Sequence, residues 1–144
     1  QELALQTLYQ VDLTRETEHA NIDAFLDEQD AEDEPREFAR SLVHGTLEHK
    51  EEIDATIAEV TQNWAISRMA VIDRNVLRLA AHELLHRDDI PPKVSVNEAI
   101  EIGKRFSTTN SGAFINGILD KIMNQHRPAG ADEQSEAADE EEDA

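Results

Sequence analysis

Two histidines spaced four residues apart are the residues most suggestive of chemistry. The segment His82-Glu83-Leu84-Leu85-His86 has the form H-E-x-x-H, which on a helix places two imidazoles beside a carboxylate and is typical of zinc hydrolases. A catalytic zinc also needs a third ligand, and Asp89 and Pro92 stand where one extended motif requires Gly and His. Glu98 follows closely behind a Pro-Pro turn, which leaves little room for the intervening structure of such enzymes. We therefore expect no metal, no cofactor and no catalytic residue.

A second set of residues combines cations, polar side chains and an aromatic ring. Proteins that read single-stranded RNA stack bases on aromatic or guanidinium groups, contact base edges with polar groups and hold phosphates with cations. The candidates are Lys93, Lys104, Arg105, Asn110, Ser111 and Phe114. Helix N-termini predicted at Ser95 and Ser111 would add backbone N–H donors. Spacing alone leaves open that Phe114 is a core residue and that Lys104 and Arg105 are solvated cations.

The charge of the chain is distributed unevenly. A net charge of −19 argues against nucleic-acid binding, because phosphates need a local positive potential. However, residues 1–63 contain 4 Lys/Arg and 17 Asp/Glu, whereas residues 64–130 contain 9 Lys/Arg and 7 Asp/Glu. Residues 131–144 contain 8 Asp/Glu and 0 Lys/Arg. The basic side chains are thus concentrated where the RNA-binding candidates lie, although an acidic protein with a neutral second half would show the same counts.

Apolar residues recur at helical spacing along almost the whole chain, and no stretch alternates long enough to predict a strand. The pattern predicts an all-α fold of about six to seven helices. The expected helices run from Leu5 to near Thr17, around Ile22 to Leu26, from Pro35 to about Asn63, from Ser67 to a stop before Pro91, from Ser95 through Gly103, and from Ser111 to a stop before Pro128.

Local signals position these helices. Ser67 has the form of an N-cap, and Ser95 with Glu98 three residues later has the form of a capping box. Gly45 is expected to permit close approach of a neighbouring element. A break near residues 63–67 predicts a division into two halves.

Composition limits the domain count and the cellular context. A chain of 144 residues fits one domain, and we assign residues 1–128 to a helical domain and residues 129–144, which are small and acidic, to a disordered tail. The absence of cysteine excludes disulfides and thiolate metal sites. No apolar run approaches the roughly 20 residues of a membrane span, and no signal peptide is evident. These features predict a cytoplasmic protein that does not associate with membranes.

Several separate blocks of the sequence resemble the NusB transcription-antitermination family. The blocks occur in the same order as in the family, and together they span nearly the whole chain apart from its tail. The matching blocks are Glu2-Leu3-Ala4-Leu5-Gln6-x-Leu8-Tyr9, Trp64-x-x-x-Arg68, Asp73-Arg74-x-x-Leu77-Arg78-Leu79-Ala80, Glu83-Leu84-Leu85, Ile90-Pro91-Pro92-Lys93-Val94, Asn97-Glu98-Ala99-Ile100-Glu101-x-x-Lys104, and Phe114-Ile115-Asn116-Gly117-x-Leu119-Asp120-Lys121.

The resemblance implies two small packed helical bundles and a non-catalytic function. It implies a factor that binds boxA-type RNA of ribosomal RNA operons together with the NusE ribosomal protein, so that the transcription elongation complex resists termination. It favours RNA binding for the candidates above, since they fall in the family's motifs. It also implies a NusE surface on the first and central helices, where Tyr9, Leu13 and Asp73 match. From the residues alone, Tyr9 and Leu13 could be packing residues, and Asp73 could form a weak exposed pair with Arg74.

One departure and three alternatives accompany this interpretation. NusB-like chains usually open with an Arg-rich segment, whereas no basic residue precedes Arg15 here, so we expect such a segment before Gln1.

The first alternative is the related helical domain of an RNA cytosine methyltransferase, which would need a downstream cofactor-binding domain. The others are a helical scaffold without an RNA role and the zinc hydrolase. Both a monomer and a homodimer fit the sequence.

Overall fold

Seven α-helices account for nearly all of the described chain. A computed structural model describes residues 2–15, 18–62, 66–107 and 111–126. The elements are α1 (Glu2–Thr14), α2 (His19–Glu28), α3 (Asp33–Glu48), α4 (Lys50–Val60), a 3-10 turn (Ile66–Arg68), α5 (Val71–His86), α6 (Pro92–Phe106) and α7 (Ser111–His126). No residue of these ranges lies in a strand, and the expected all-α fold is confirmed. In these same ranges, we find no helix with the length and apolarity to span a membrane.

The helices form two packed groups that share α5. The first group is α1, α2 and α3, which contact one another in all three pairings. The second is α4 to α7, in which α6 and α7 form a hairpin against α5. Helix α5 also contacts α1 and α3, so it lies between the groups. This position explains why every residue from Asn75 to Leu84 is buried, polar ones included.

The hairpin of α6 and α7 packs closely because small residues line its contact. A Cβ added at Gly103 would lie 2.4 Å from Cδ1 of Ile115, which occupies the space left by the missing side chain. Ile115, Leu119 and Ile122 are fully buried on the facing side of α7. Their spacing of three to four residues is the helical pattern seen in the sequence.

Two predicted helix boundaries were wrong. The stretch predicted as one helix from Pro35 to about Asn63 is two helices, because the chain turns at His49, whose φ of −101° and ψ of 16° interrupt the regular helix. Ser67 does not cap α5, since it lies in the 3-10 turn, and the residue before α5 is Ala70.

The capping box predicted at Ser95 was also wrong. Helix α6 begins at Pro92, because proline lacks an N–H and its fixed φ suits the first helical turn. Ser95 therefore lies inside the helix and is 1% exposed. The predicted tail at residues 129–144 lies outside the described residues.

Candidate nucleic-acid and protein interfaces

Four of the six RNA-binding candidates meet where α6 ends and α7 begins. Lys104 and Arg105 occupy the last turn of α6, and Ser111 and Phe114 occupy the first turn of α7. We call these four residues the α6–α7 corner. Both cations are exposed, Ser111 is buried, and Phe114 is half-buried against the core. The corner thus offers two exposed cations and a half-buried aromatic ring where α6 and α7 pack together.

Lys104 is held in place by its aliphatic stem. A Cβ added at Gly112 would lie 3.0 Å from Cε and 3.1 Å from Cγ of Lys104. The stem of Lys104 therefore crosses α7 at Gly112, where the helix has no side chain. Lys104 forms no ion pair with any residue that the structure describes. A long side chain that packs its stem and exposes its ammonium loses little freedom when it binds an anion.

Arg105 is already engaged by a carboxylate. Its Nη1 donates to Oε1 of Glu2, which connects the end of α6 to the start of α1. The two side chains are 64% and 48% exposed, so this pair is screened by water. A phosphate could therefore displace Glu2 at low cost.

The remaining candidates do not join the corner. Lys93 is exposed at the start of α6, eleven residues before Lys104, which on a helix is about 16 Å away. Ser95 lies inside α6, so the predicted N–H donors at that residue belong instead to the helix start at Pro92. Asn110 lies outside the described residues.

The proposed partner residues on α1 are exposed. Tyr9 is 36% and Leu13 is 55% exposed, so neither is buried in the core. Tyr9 borders a largely apolar groove of about 320 Å³ between α1, α2, α5 and α6. The groove is lined by Glu2, Leu5, Gln6, Tyr9, Gln10, Phe25, Ile72 and Phe106. A concave apolar surface with an aromatic rim is typical of a protein-binding site.

Asp73 follows Ile72 of the groove lining in the sequence, and among the described residues it does not form the ion pair with Arg74 that the sequence left possible. Its Oδ1 is buried and has no hydrogen-bond partner among the described residues. Arg74 instead donates from Nε to Oδ2 of Asp12 at 2.7 Å and from Nη2 to Oδ1 at 3.0 Å. Because Oδ1 of Asp73 is buried, a partner chain cannot reach it without movement of the surrounding side chains.

A polar network surrounds Asp12, and the sequence alone did not indicate it. Asp12 accepts from Arg74, from Nδ2 of Asn75 at 2.8 Å and from Nη1 of Arg78 at 3.3 Å, and Arg78 also donates to both oxygens of Asp54. Burial raises the pKa of Asp12, but the hydrogen bonds from Arg74 and Asn75 outweigh it and leave the pKa below its ordinary value. The network fixes α1 and α4 on α5. In the sequence, the spacing of four residues between Arg74 and Arg78 was the feature that could have indicated this network.

The H-E-x-x-H segment forms part of the core. His82 is 3% and Glu83 is 0% exposed, whereas His86 stacks on His49 with ring centroids 3.8 Å apart. Burial, and then the neighbouring His86, His49 and Arg87, lower the pKa of His82 to about 4. Within the described ranges, no group of three or more His, Asp or Glu side chains is arranged to hold a metal ion. The buried Glu83 is also shielded from the water that a hydrolase must activate.

Comparison with known proteins places the chain in a well-populated family. The sequence model of the NusB family matches residues 1–124. The transcription antitermination protein NusB of Desulforamulus reducens is 50% identical over 122 residues, which is 85% of each chain. That of Geobacter sulfurreducens is 49% identical over 84% of this chain and 88% of its own.

Solved structures agree with this placement. NusB of T. maritima superposes with a TM-score of 0.79 at 39% identity, covering 90% of this chain and 91% of its own. The structure of antitermination factors NusB and NusE in complex with dsRNA superposes with a TM-score of 0.75 at 28% identity, covering 83% of this chain and 89% of its own.

Proposed function

The chain belongs to the NusB family, and we propose that it acts as a transcription antitermination factor that binds boxA-type RNA together with the NusE ribosomal protein. In this role it contributes no chemistry of its own. It joins an RNA and a protein so that the transcription elongation complex resists termination. The observation that carries the proposal is the α6–α7 corner, where two exposed cations and a half-buried aromatic ring lie on two packed helices.

The corner supports recognition of RNA by two kinds of contact. Lys104 and Arg105 supply positive charge for backbone phosphates, and the half-buried ring of Phe114 supplies an aromatic group on which a base can stack. Lys93, at the far end of α6, would contact a phosphate further along the same strand. In this proposal Asn110, next to Ser111 in the sequence, contacts a base edge.

The groove beside Tyr9 supports recognition of the protein partner. Tyr9 and Leu13 are exposed on α1, and Asp73 lies partly buried in the first turn of α5. An apolar partner side chain would fill the groove, and a partner cation would pair with the charge of Asp73. These contacts are of the type found at protein interfaces, where aromatic anchors are surrounded by polar groups.

The two surfaces share helix α1. Glu2 touches Arg105 at the RNA corner, and Tyr9 borders the groove about two turns further along. A complex that holds both ligands on one rigid scaffold raises the effective concentration of each at the other's site. We therefore expect RNA and NusE to bind more tightly together than either binds alone.

The function is tested by RNA titrations with and without purified NusE at fixed salt. Three RNAs are compared, namely a boxA-like single strand, a scrambled strand of the same composition and a duplex. The expected result is preference for the boxA-like strand, and a higher affinity when NusE is present. Equal weak binding of all three RNAs, unchanged by NusE, would refute the proposal.

The partner surface is tested with two matched substitutions. Tyr9→Ala removes an aromatic ring that is 36% exposed at the groove, and Phe38→Ala removes one that is 37% exposed on α3. We expect Tyr9→Ala to weaken NusE binding roughly tenfold or more, as the loss of an interface aromatic does, and Phe38→Ala to leave it unchanged. Equal effects of the two changes would place the interface elsewhere.

A further inference from the structure

A cavity with several charged side chains in its lining lies at the end of α1 that is remote from the RNA corner. It has a volume of about 510 Å³ and is walled by α1, α3, α4, α5 and the 3-10 turn. Its polar lining includes Asp12, Arg15, Lys50, Asp54, Arg74 and Arg78. Asp12 follows Glu2 by ten residues on α1, which separates the cavity from the corner by about 15 Å.

The charges that line this cavity do not cancel. Arg74 binds Asp12 through two hydrogen bonds, and Arg78 binds Asp54 through two more. These two pairs use both carboxylates of the lining. Arg15 and Lys50 remain, and neither forms an ion pair with any residue in the described part of the chain. The cavity therefore carries an excess of two positive charges in a chain whose net charge is −19.

The backbone at Arg15 supports a role for its side chain. Arg15 follows the last residue of α1, donates its N–H to the carbonyl of Val11 at 2.7 Å and has a φ of 60°. This left-handed conformation is usually adopted by glycine or asparagine at helix ends, because a Cβ disfavours it. Here the position carries a long cation that lines the cavity. A strained residue of this kind is a reason to look for function at the site.

The cavity also retains hydrogen-bond donors. Arg74 has five N–H groups, of which two bind Asp12 and one makes a long 3.4 Å contact with the carbonyl of Ser67. Its side chain remains 17% exposed. A guanidinium that is fixed by one carboxylate and still reaches solvent is well placed to bind an oxyanion.

We propose that this cavity binds a phosphate group, carried either by a small molecule such as a nucleotide or by the backbone of a bound RNA. Arg15 and Lys50 supply the charge, and Arg74 supplies an oriented donor. The volume lies within the range of about 300–1,000 Å³ that small-molecule sites occupy. The phosphate comes either from a free small molecule or from the RNA backbone, and the experiment distinguishes these two sources.

The experiment uses the whole chain, with inorganic pyrophosphate and AMP as probes at low salt. Amide chemical shifts and calorimetry follow the binding. The expected result is saturable binding with shifts around Asp12, Arg15 and Lys50, which weakens as salt is raised. Lys50→Gln should weaken pyrophosphate binding on the order of fivefold or more, since one charged contact is lost. Absence of saturable binding would overturn the proposal.

Two further variants separate this site from a general effect of charge and from a structural role. Lys121→Gln removes the same charge from an exposed position on α7, outside both the cavity and the α6–α7 corner, so it should leave pyrophosphate binding unchanged. Arg15→Gly relieves the left-handed backbone, so it should preserve or raise stability while weakening pyrophosphate binding. Equal loss in Lys50→Gln and Lys121→Gln would refute the cavity as the site. Loss of RNA affinity in Lys50→Gln would identify the RNA backbone as the source of the phosphate, and its retention would identify a free small molecule.

Discussion

Gly45 of α3 and His82 of α5 lie in such close contact that a Cβ at residue 45 would come within 2.4 Å of Nε2 of the imidazole. The predicted close approach at Gly45 is thus confirmed, and its neighbour is a histidine of the H-E-x-x-H segment. His82 is surrounded by α3, by His49 and by His86, and its Nδ1 is buried without a described partner. The segment that resembles a zinc motif therefore joins two helices of the core.

Gly45→Ala should destabilise the protein. The added methyl group meets a buried ring that has little room to move, and overpacking of this kind costs about 1–3 kcal/mol. The matched control is Gly117→Ala on α7, where an added Cβ meets no atom within 4 Å. There the change should stabilise by about 0.5–1 kcal/mol through helix propensity. Urea unfolding of both variants measures the difference, and similar behaviour of the two would contradict the packing at Gly45.

Stability should fall as the pH is lowered from about 6.5 towards 4. In the folded protein, burial lowers the pKa of His82 to about 4, whereas in the unfolded chain the group titrates at its ordinary value. Between these pH values the unfolded chain binds more protons, so protonation favours unfolding. His49, His86, Arg87 and Glu52 surround the site, and His86 contacts Glu52 at 3.2 Å.

The measurement is denaturant unfolding across that pH range for the protein and for His82→Gln. Between pH 6.5 and 4.5, the decrease in the free energy of unfolding should be smaller in the variant, by on the order of 1–2 kcal/mol. His126→Gln, at the exposed end of α7, serves as the control and should keep the pH dependence. An unaltered pH slope in His82→Gln would show that other groups cause it.

Substitutions at the α6–α7 corner should separate base stacking from charge. Phe114→Leu should keep the fold, cost about 1–3 kcal/mol of RNA affinity and leave the salt dependence unchanged. Lys104→Gln and Lys93→Gln should weaken boxA-like and scrambled RNA alike, and each should lower the slope of log affinity against log salt by about one unit. Circular dichroism melts accompany the titrations. If Phe114→Leu reduced only stability, the ring would belong to the core and not to the RNA site.

Removing residues 131–144 should strengthen RNA binding and hardly change stability. The segment contributes 8 negative charges and, of apolar residues, only alanine. The gain in affinity should shrink at high salt, because screening shortens the reach of these charges. A control in which every Asp and Glu of the segment becomes Asn or Gln should behave like the deletion. A large drop in melting temperature would show that the segment contributes to the folded core.

The helices could be predicted from the sequence, but their boundaries and long-range polar contacts could not. Apolar residues continue on both sides of His49, at Leu47, Ile53 and Ile57, and neither Gly nor Pro stands between Leu47 and Ile53, so the sequence did not reveal the break between α3 and α4. Ser95 fits a capping box, yet Pro92 begins the helix one turn earlier. Local signals of this kind compete, and the sequence does not show which one prevails.

The residues of the candidate surfaces, too, could be predicted from the sequence only where they are close together along the chain. Lys104, Arg105, Ser111 and Phe114 lie within eleven consecutive residues, and a hairpin brings such neighbours together. Asp12 and Arg78, by contrast, are 66 residues apart, and only the packing of α1 on α5 shows that they meet. Identifying Tyr9 and Leu13 as exposed likewise required knowing which face of α1 the core covers.

The distance in sequence between α1 and α5 has a consequence for synthesis on the ribosome. Asp12 leaves the ribosome long before Arg74 and Arg78, which follow it by 62 and 66 residues. At a synthesis rate of about 5–20 residues per second, roughly 3–12 seconds pass between the synthesis of Asp12 and that of Arg74 on α5, the helix that completes the packing of α1. During that interval Leu5 and Leu8, buried in the finished protein, remain open to water and to chaperones. Helix α1, which carries Tyr9 and Leu13 of the proposed partner surface, is thus made well before the helix that secures it.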